Sequence, residues 1–388
     1  MTRFIFAFFL SLGMLQAQVQ AATIVPSPPQ LSAKAWLMID ADSSEVLAEH
    51  NADMLLPPAS LTKMMTSYLL AQELKDGRLQ ESDRVTISDN AWSQNPVFAG
   101  SSLMWIEPGM EVSVGDLQRG VIISSGNDST VAVAEHIAGS EAVFAEMMNT
   151  TAKKLGMVDT HYSNSHGLDD EGQVTTARDL AVLAQAMIRD HPEQYAIYKE
   201  QEFTFNNIKQ YNRNTLLNED PTLDGLKTGY TKAAGYCLVA SAKRDGMRLI
   251  TVVMGTSSPR MRKNETRSLL NYGFRFFETS TVHAAMTELE NPRIWQGQAD
   301  TVPVGIADAV LLTLPRGKAK SLVTEVAVER PLLAPVAVGD KVGTFTITLD
   351  GETVFDGPLA ALAAVEQGGF FARLWDTVLM WFASLFDV

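Results

Sequence analysis

Three short stretches of this sequence hold side chains that can do acyl chemistry. Ser60-Leu61-Thr62-Lys63 sets a hydroxyl and an amine three residues apart, a spacing that puts both on one face of a helix. Pro57 and Pro58 precede the pair, and Leu61, Met64, Met65, Tyr68, Leu69 and Ala71 recur at helical steps before Gly77. The spacing predicts a helix over residues 59–74 with Ser60 in its first turn, near the positive end of the dipole. A hydroxyl placed there is a candidate nucleophile, and the lysine is its candidate base. Ser125-Gly126-Asn127 follows the apolar Val121-Ile122-Ile123 and stands before another helical pattern. That exposes its side chains at a helix start, although alone it reads as an N-cap. Lys227-Thr228-Gly229 leads into an expected strand; the glycine lets a ligand backbone come close, while the lysine and threonine offer a charge and a hydroxyl. A lone Ser-x-x-Lys arises by chance about once or twice in a chain of this size, so the chemistry rests on the three stretches together.

Positioning them requires a mixed scaffold. Alternation over residues 35–40 and 45–48, broken by Asp42-Ser43-Ser44, predicts a β-hairpin. Helical periodicity covers residues 114–122, 128–137, 140–155 and 176–189. Strands return at 236–243 and 248–254 across the hairpin signal Arg244-Asp245-Gly246, and a helix over 262–277 closes the region. Cys237 falls in one of these strands and reads as core. After Thr279 come short alternating runs such as Val310-Leu311-Leu312-Thr313-Leu314 and Thr344-Phe345-Thr346-Ile347-Thr348-Leu349, punctuated by glycines, the pattern of a small all-β domain.

The chain of 388 residues carries 31 basic and 45 acidic side chains, a net charge of −14, which argues against nucleic acid as a partner. Hydrophobic residues make up 46%, enough for a sizeable core. The single cysteine excludes an intramolecular disulfide and any multi-cysteine metal site. Met1-Thr2-Arg3, an apolar run over 4–15, and the small residues Val19 and Ala21 read as a secretory signal peptide over residues 1–21, with an uncleaved anchor as the alternative. At the other end Phe371, Leu374, Trp375, Val378, Leu379, Phe382, Leu385 and Phe386 fall on one helical stripe. Residues 368–388 thus read as an amphipathic helix for a membrane interface, the alternative being a helix docked on its own core. Arg373 and Asp376 disfavour a transmembrane span, and the absence of a Lys/Arg cluster rests attachment on apolar burial.

Taken in order, the three stretches match a serine–lysine acyl-transfer signature, with Ser125-Gly126-Asn127 as a variant of its second element. The sequence resembles the penicillin-binding D-alanyl-D-alanine carboxypeptidases of low molecular mass over nearly its full length. The likeness runs through residues 59–66, Ser124-Ser125-Gly126-Asn127-Asp128, Asn164-Ser165-His166-Gly167-Leu168-Asp169, residues 224–231 and Gly273-Phe274-Arg275-Phe276-Phe277-Glu278. It implies an α/β, β-lactamase-like catalytic domain over 30–279, the β-domain over 280–365 and the anchor helix over 368–388, on the periplasmic face of a bacterial inner membrane.

The resemblance implies that Ser60 attacks the carbonyl between the terminal D-alanines of a peptidoglycan pentapeptide, with β-lactams as covalent inhibitors and with no metal or organic cofactor. Lys63 takes the hydroxyl proton, its pKa lowered by burial and by Lys227. Ser125 passes a proton to the departing D-alanine, and Asn127 holds either Lys63 or the substrate backbone. The N–H groups of Ser60 and Tyr230 form the oxyanion hole, Gly229 and Tyr230 are substrate-binding candidates, and the role of the Tyr230 side chain stays open. Lys227, Thr228 and Arg262 are the candidates for the terminal carboxylate, although Arg262 also reads as a solvated helix residue beside Arg260 and Lys263. His166 either aids deacylation or anchors its loop. Three competitors remain. A β-lactamase needs an acid activating water, and the spacing of Asp169, Asp170 and Glu171 does not reproduce that motif. A cross-link endopeptidase is disfavoured by the need for a free carboxylate, and a wall-binding scaffold by the full set of reactive residues.

Overall fold

The computed structural model describes residues 25–385; the expected signal peptide and Phe386 of the apolar stripe lie outside the described residues. Five strands form the first sheet: β1 (Ala35–Asp40), β2 (Val46–His50), β3 (Leu223–Thr231), β4 (Gly235–Arg244) and β5 (Met247–Thr256), in the antiparallel order β2-β1-β5-β4-β3. The expected enclosure of a helical middle by strands from both sides of it is thus realised in one sheet.

Alternation explains how that sheet is buried on both faces. Leu37, Ile39, Val239, Ile250 and Val252 point into one core, whereas Trp36, Met38, Leu238, Ala240 and Leu249 point into the other. The first core holds the helices α1 (Lys63–Lys75), α2 (Asn127–Ala138), α3 (Glu141–Leu155) and α4 (Ala177–Asp190). The second is closed by α5 (Pro259–Phe276), which lies so near the sheet that a Cβ at Gly273 would fall 2.5 Å from Leu249 Cδ1 and 2.7 Å from Met38 Sδ. Local signals set the helix ends: the Ser140, Thr176 and Ser258 side chains accept N–H bonds from Val143, Asp179 and Met261. Gly156 ends α3 at φ 85°.

Two expectations need correcting. Ser60 does not sit in the first turn of α1; it lies in a 3-10 turn, Ala59–Thr62, that precedes it. Lys227-Thr228-Gly229 does not lead into a strand but lies inside β3, opposite Val239, Leu238 and Cys237 of β4. The alternating pattern fails there because polar side chains occupy buried strand positions.

The β-domain follows with β6 (Phe277–His283), β7 (Thr287–Glu290), β8 (Val304–Ile306), β9 (Val310–Pro315), β10 (Leu322–Val328), β11 (Lys341–Leu349) and β12 (Glu352–Ala361). Strands β7-β8-β12-β11-β10 make an antiparallel sheet over a core that includes Val304, Ile306, Phe345, Ile347 and Leu359, and β6 pairs with β9. The β6–β9 ribbon is tied to the first sheet and to α5: buried Asp40 accepts the Thr279 hydroxyl at 2.5 Å, Ser43 and Thr313 hydroxyls are 2.7 Å apart, and Arg316 donates to the Phe274 carbonyl at 2.8 Å. Helix α6 (Phe370–Leu385) ends the described chain. No helix among the described residues is long and apolar enough to cross a membrane.

Candidate active site

The 3-10 turn holding Ser60, the turn before α2 and the edge strand β3 converge on one cleft of about 640 Å³, lined among others by Ser60, Ser125, Asn127, Thr228, Gly229, Tyr230 and Arg262. Gly229 of β3 admits the Ser60 turn: a Cβ there would lie 3.2 Å from Ala59 Cβ, Leu61 Cγ and the Pro58 carbonyl oxygen.

Lys63 is 1% exposed and holds the centre. Its Nζ lies 2.6 Å from Asn127 Oδ1, 2.6 Å from the His166 carbonyl oxygen and 3.2 Å from Ser60 Oγ. Burial pulls its pKa from 10.5 down to about 7, against the nearby charges of Asp128 and Glu141. A neutral amine has two N–H bonds and one lone pair. With both N–H bonds directed to the two carbonyl-type oxygens, the lone pair is left for the Ser60 hydroxyl.

A second amine–hydroxyl pair faces the first. Lys227, 2% exposed, donates to Ser125 Oγ at 2.8 Å and to the Thr228 carbonyl at 3.2 Å. Burial lowers its pKa far below the usual lysine value, and Lys63, Arg213 and Arg262 add to the effect. Ser125 is held by an unusual backbone: a π-type turn over Gly120–Ser124 delivers it at φ 58°, a left-handed conformation rare outside glycine. The turn explains why an unbroken helix over 114–122 is not observed.

The remaining expected residues divide. Arg262 is not a solvated helix residue; it lines the cleft, with Nη1 3.4 Å from the Gly229 and Cys237 carbonyls and its guanidinium 5.8 Å above the Tyr236 ring. Tyr230 is 53% exposed at the cleft and stacks on Tyr236 at 4.2 Å. His166 turns its ring away from the cleft, into a separate pocket of about 240 Å³. There Nδ1 accepts the Leu168 N–H at 3.1 Å, Nε2 lies 3.5 Å from Glu141, and Phe98 meets the ring edge-on. Burial, and then the charge of Lys63, push its pKa down to about 3. The geometry thus favours the loop-anchoring reading of His166, whose carbonyl rather than imidazole meets Lys63.

Several groups in or behind the cleft carried no distinct signal in the sequence. Ser101 Oγ accepts from Asn127 Nδ2 at 2.8 Å. Arg213 lines the cleft from a segment without a pattern, and Tyr236 from the start of an expected strand in which nothing marked it for the site. Asp128, adjacent to the second motif, accepts the N–H bonds of Met104 and Trp105 at 2.8 Å and so fixes the rim; its adjacency to Ser125-Gly126-Asn127 was the one available clue. Among the described residues no group of three or more His, Cys, Asp or Glu side chains is placed to hold a metal ion.

The chain is similar to proteins of known family. Residues 22–258 match the family described as D-alanyl-D-alanine carboxypeptidase, and residues 277–367 match the one described as the C-terminal domain of penicillin-binding protein 5. The chain is 47% identical over 374 residues to the D-alanyl-D-alanine carboxypeptidase DacC of Escherichia coli (strain K12), covering 95% of this chain and 94% of that one. Among solved structures, penicillin binding protein 5 from Haemophilus influenzae superposes with a TM-score of 0.84 at 41% identity, covering 88% of this chain and all (100%) of the other. Penicillin-Binding Protein D2 from Listeria monocytogenes, in its ampicillin-bound form, matches with a TM-score of 0.57 at 32% identity over 64% of this chain and 100% of its own. With this fold, these paired amines and these relatives, the chain belongs to the D-alanyl-D-alanine carboxypeptidase family of penicillin-binding proteins.

Proposed function

We propose that the protein is a serine-type D-alanyl-D-alanine carboxypeptidase that removes the last residue of peptidoglycan stem pentapeptides. The observation that carries this reading is the meeting of two buried lysine–serine pairs, Lys63 with Ser60 and Lys227 with Ser125, at a single cleft.

Ser60 Oγ bonds to the carbonyl carbon between the two D-alanines as its proton moves to Lys63. The oxyanion is received by the N–H groups of Ser60 and Tyr230. The C–N bond then breaks, and the proton that Lys63 took from Ser60 passes through the Ser125 hydroxyl, which Lys227 orients, to the departing D-alanine nitrogen, leaving Lys63 neutral again. Thr228, Arg262 and Lys227 supply hydroxyl and positive charge for the terminal carboxylate, and Gly229 keeps the strand close to the nucleophile turn. Water adds to the acyl carbon as Lys63 takes its proton; the bond to Ser60 Oγ then breaks, Lys63 returns that proton to Oγ, and the tetrapeptide leaves as its carboxylate. β-Lactams enter by the same attack and stay bound on Ser60, a reading supported by the ampicillin-bound relative.

Residues 1–21 act as a cleaved export signal, residues 30–279 form the catalytic domain and 280–365 the β-domain, and residues 368–388 hold the enzyme on the periplasmic surface of the membrane. The exposed Phe371, Leu374, Trp375 and Phe382 of α6 support that last assignment. The decisive experiment is mass spectrometry of pentapeptide substrate together with labelling by a fluorescent penicillin. The wild-type protein releases D-alanine and is labelled; Ser60→Ala does neither. Undiminished release by Ser60→Ala would falsify the assignment.

A further inference from the structure

The loop over residues 164–172 reaches Lys63 only through its backbone, and one carboxylate outside the cleft holds that backbone. Glu141 stands in the first turn of α3. Its Oε1 accepts the Ser165 N–H at 3.0 Å and the Ser165 hydroxyl at 2.6 Å, and lies 3.5 Å from His166 Nε2. On the opposite side of the same two residues, the Ser165 carbonyl accepts the Thr66 hydroxyl at 2.6 Å and the His166 carbonyl accepts from Lys63 Nζ at 2.6 Å. The Ser165–His166 segment is thus gripped between α3 and α1: Glu141 takes the Ser165 N–H and hydroxyl, the His166 N–H goes to Asn164 Oδ1 within the loop at 3.3 Å, and both carbonyls accept from the helix that carries the lysine.

The Glu141 side chain is 30% exposed and borders the pocket behind His166 rather than the substrate cleft. It therefore touches no reacting atom. We propose that Glu141 is a positioning residue for Lys63, holding the His166 carbonyl on the amine so that the lysine lone pair stays aimed at Ser60. This rests on the reading of Lys63 as the base. The groups facing Lys63 are Ser60 from its turn, Asn127 and Asp128 from α2, Glu141 from α3, the His166 carbonyl and imidazole from the loop, and Lys227 from β3. Of the two carboxylates that favour the charged lysine, Asp128 is committed to the rim amides, whereas Glu141 also controls where the carbonyl sits.

The two roles separate by substitution in the full-length protein. Glu141→Gln keeps an acceptor oxygen for Ser165 but removes the charge; its acylation by a fluorescent penicillin should hold its plateau within about threefold while the acid limb of the pH–rate profile moves to lower pH. Glu141→Ala removes the grip, and its plateau rate should fall about tenfold or more, because small displacements of a base are costly, with a melting temperature that still reports a folded protein. Two results overturn the proposal: both variants following the wild-type profile, or both losing rate only in proportion to folded protein with the limb unmoved. Labelling of Ser60→Ala in the same assay would instead remove the underlying reading, and this one with it.

Discussion

With Lys63 as the proposed base, its protonation state sets the pH behaviour of the site. An ammonium cannot take the proton of Ser60, so acylation needs the neutral amine. Because burial pulls the folded pKa from 10.5 to about 7, the acid limb should be centred near pH 7. Below it, the rate falls tenfold per pH unit; above it, the rate levels off. Lys227 shares the cleft and its pKa is also lowered, so the limb belongs to the coupled pair. Following penicillin acylation from pH 5 to 9 checks this; a rate still climbing steeply at pH 9 would show that the lysine keeps its solution value. The candidate residues were legible here because their types and order carry the chemistry. The aim of the His166 ring was not, since it depends on Glu141 and Phe98, contacts that no local pattern encodes.

At the scale of elements, the sheet and helices follow from period: alternating strands feed two cores, and capped helices begin where Ser140, Thr176 and Ser258 stand. What escaped pattern reading is where function overrides it. Strand β3 buries Lys227 and Thr228, and the π-type turn before Ser125 interrupts a helical run. The loop carrying His166 is a third such place. Gly167 adopts φ 91°, and a Cβ there would lie 1.9 Å from the Ala59 carbonyl oxygen and 2.8 Å from Thr62 Oγ1. Gly167→Ala must therefore push the loop off the Ser60 turn and carry the His166 carbonyl away from Lys63. Acylation should fall at least tenfold, with about 1–3 kcal/mol lost from backbone strain alone. Gly172, in the same loop at φ 86°, has nothing within 4 Å of the same position. Gly172→Ala should cost only about 1–2 kcal/mol of left-handed strain and leave acylation unchanged. Chemical denaturation and penicillin labelling of the two variants make the comparison; equal kinetic effects would contradict it.

For the whole molecule, the orientation of α6 is informative because it reverses the usual packing of an amphipathic helix. Its polar residues face the β-domain: Asp376 accepts the Gln296 N–H at 2.6 Å, with Arg293 at 3.4 Å, and the Thr377 hydroxyl accepts from Gln296 at 3.1 Å. Its aromatic stripe faces outward, with Phe371 at 83% and Trp375 at 65% exposure. Each large apolar side chain moved from water into an apolar phase stabilises by about 1.5–3 kcal/mol, so four of them at half that gain already amount to about 3–6 kcal/mol. Charge contributes nothing comparable, since the chain carries −14 overall and an anionic surface would repel it. Cosedimentation with neutral phosphatidylcholine vesicles should therefore be at least as strong as with vesicles containing anionic lipid, and should persist in high salt. Trp375→Glu should weaken it tenfold or more while penicillin acylation stays within about twofold, because the side chain lies outside both domain cores. Binding that requires anionic lipid, or that survives Trp375→Glu intact, would contradict the proposed attachment through α6.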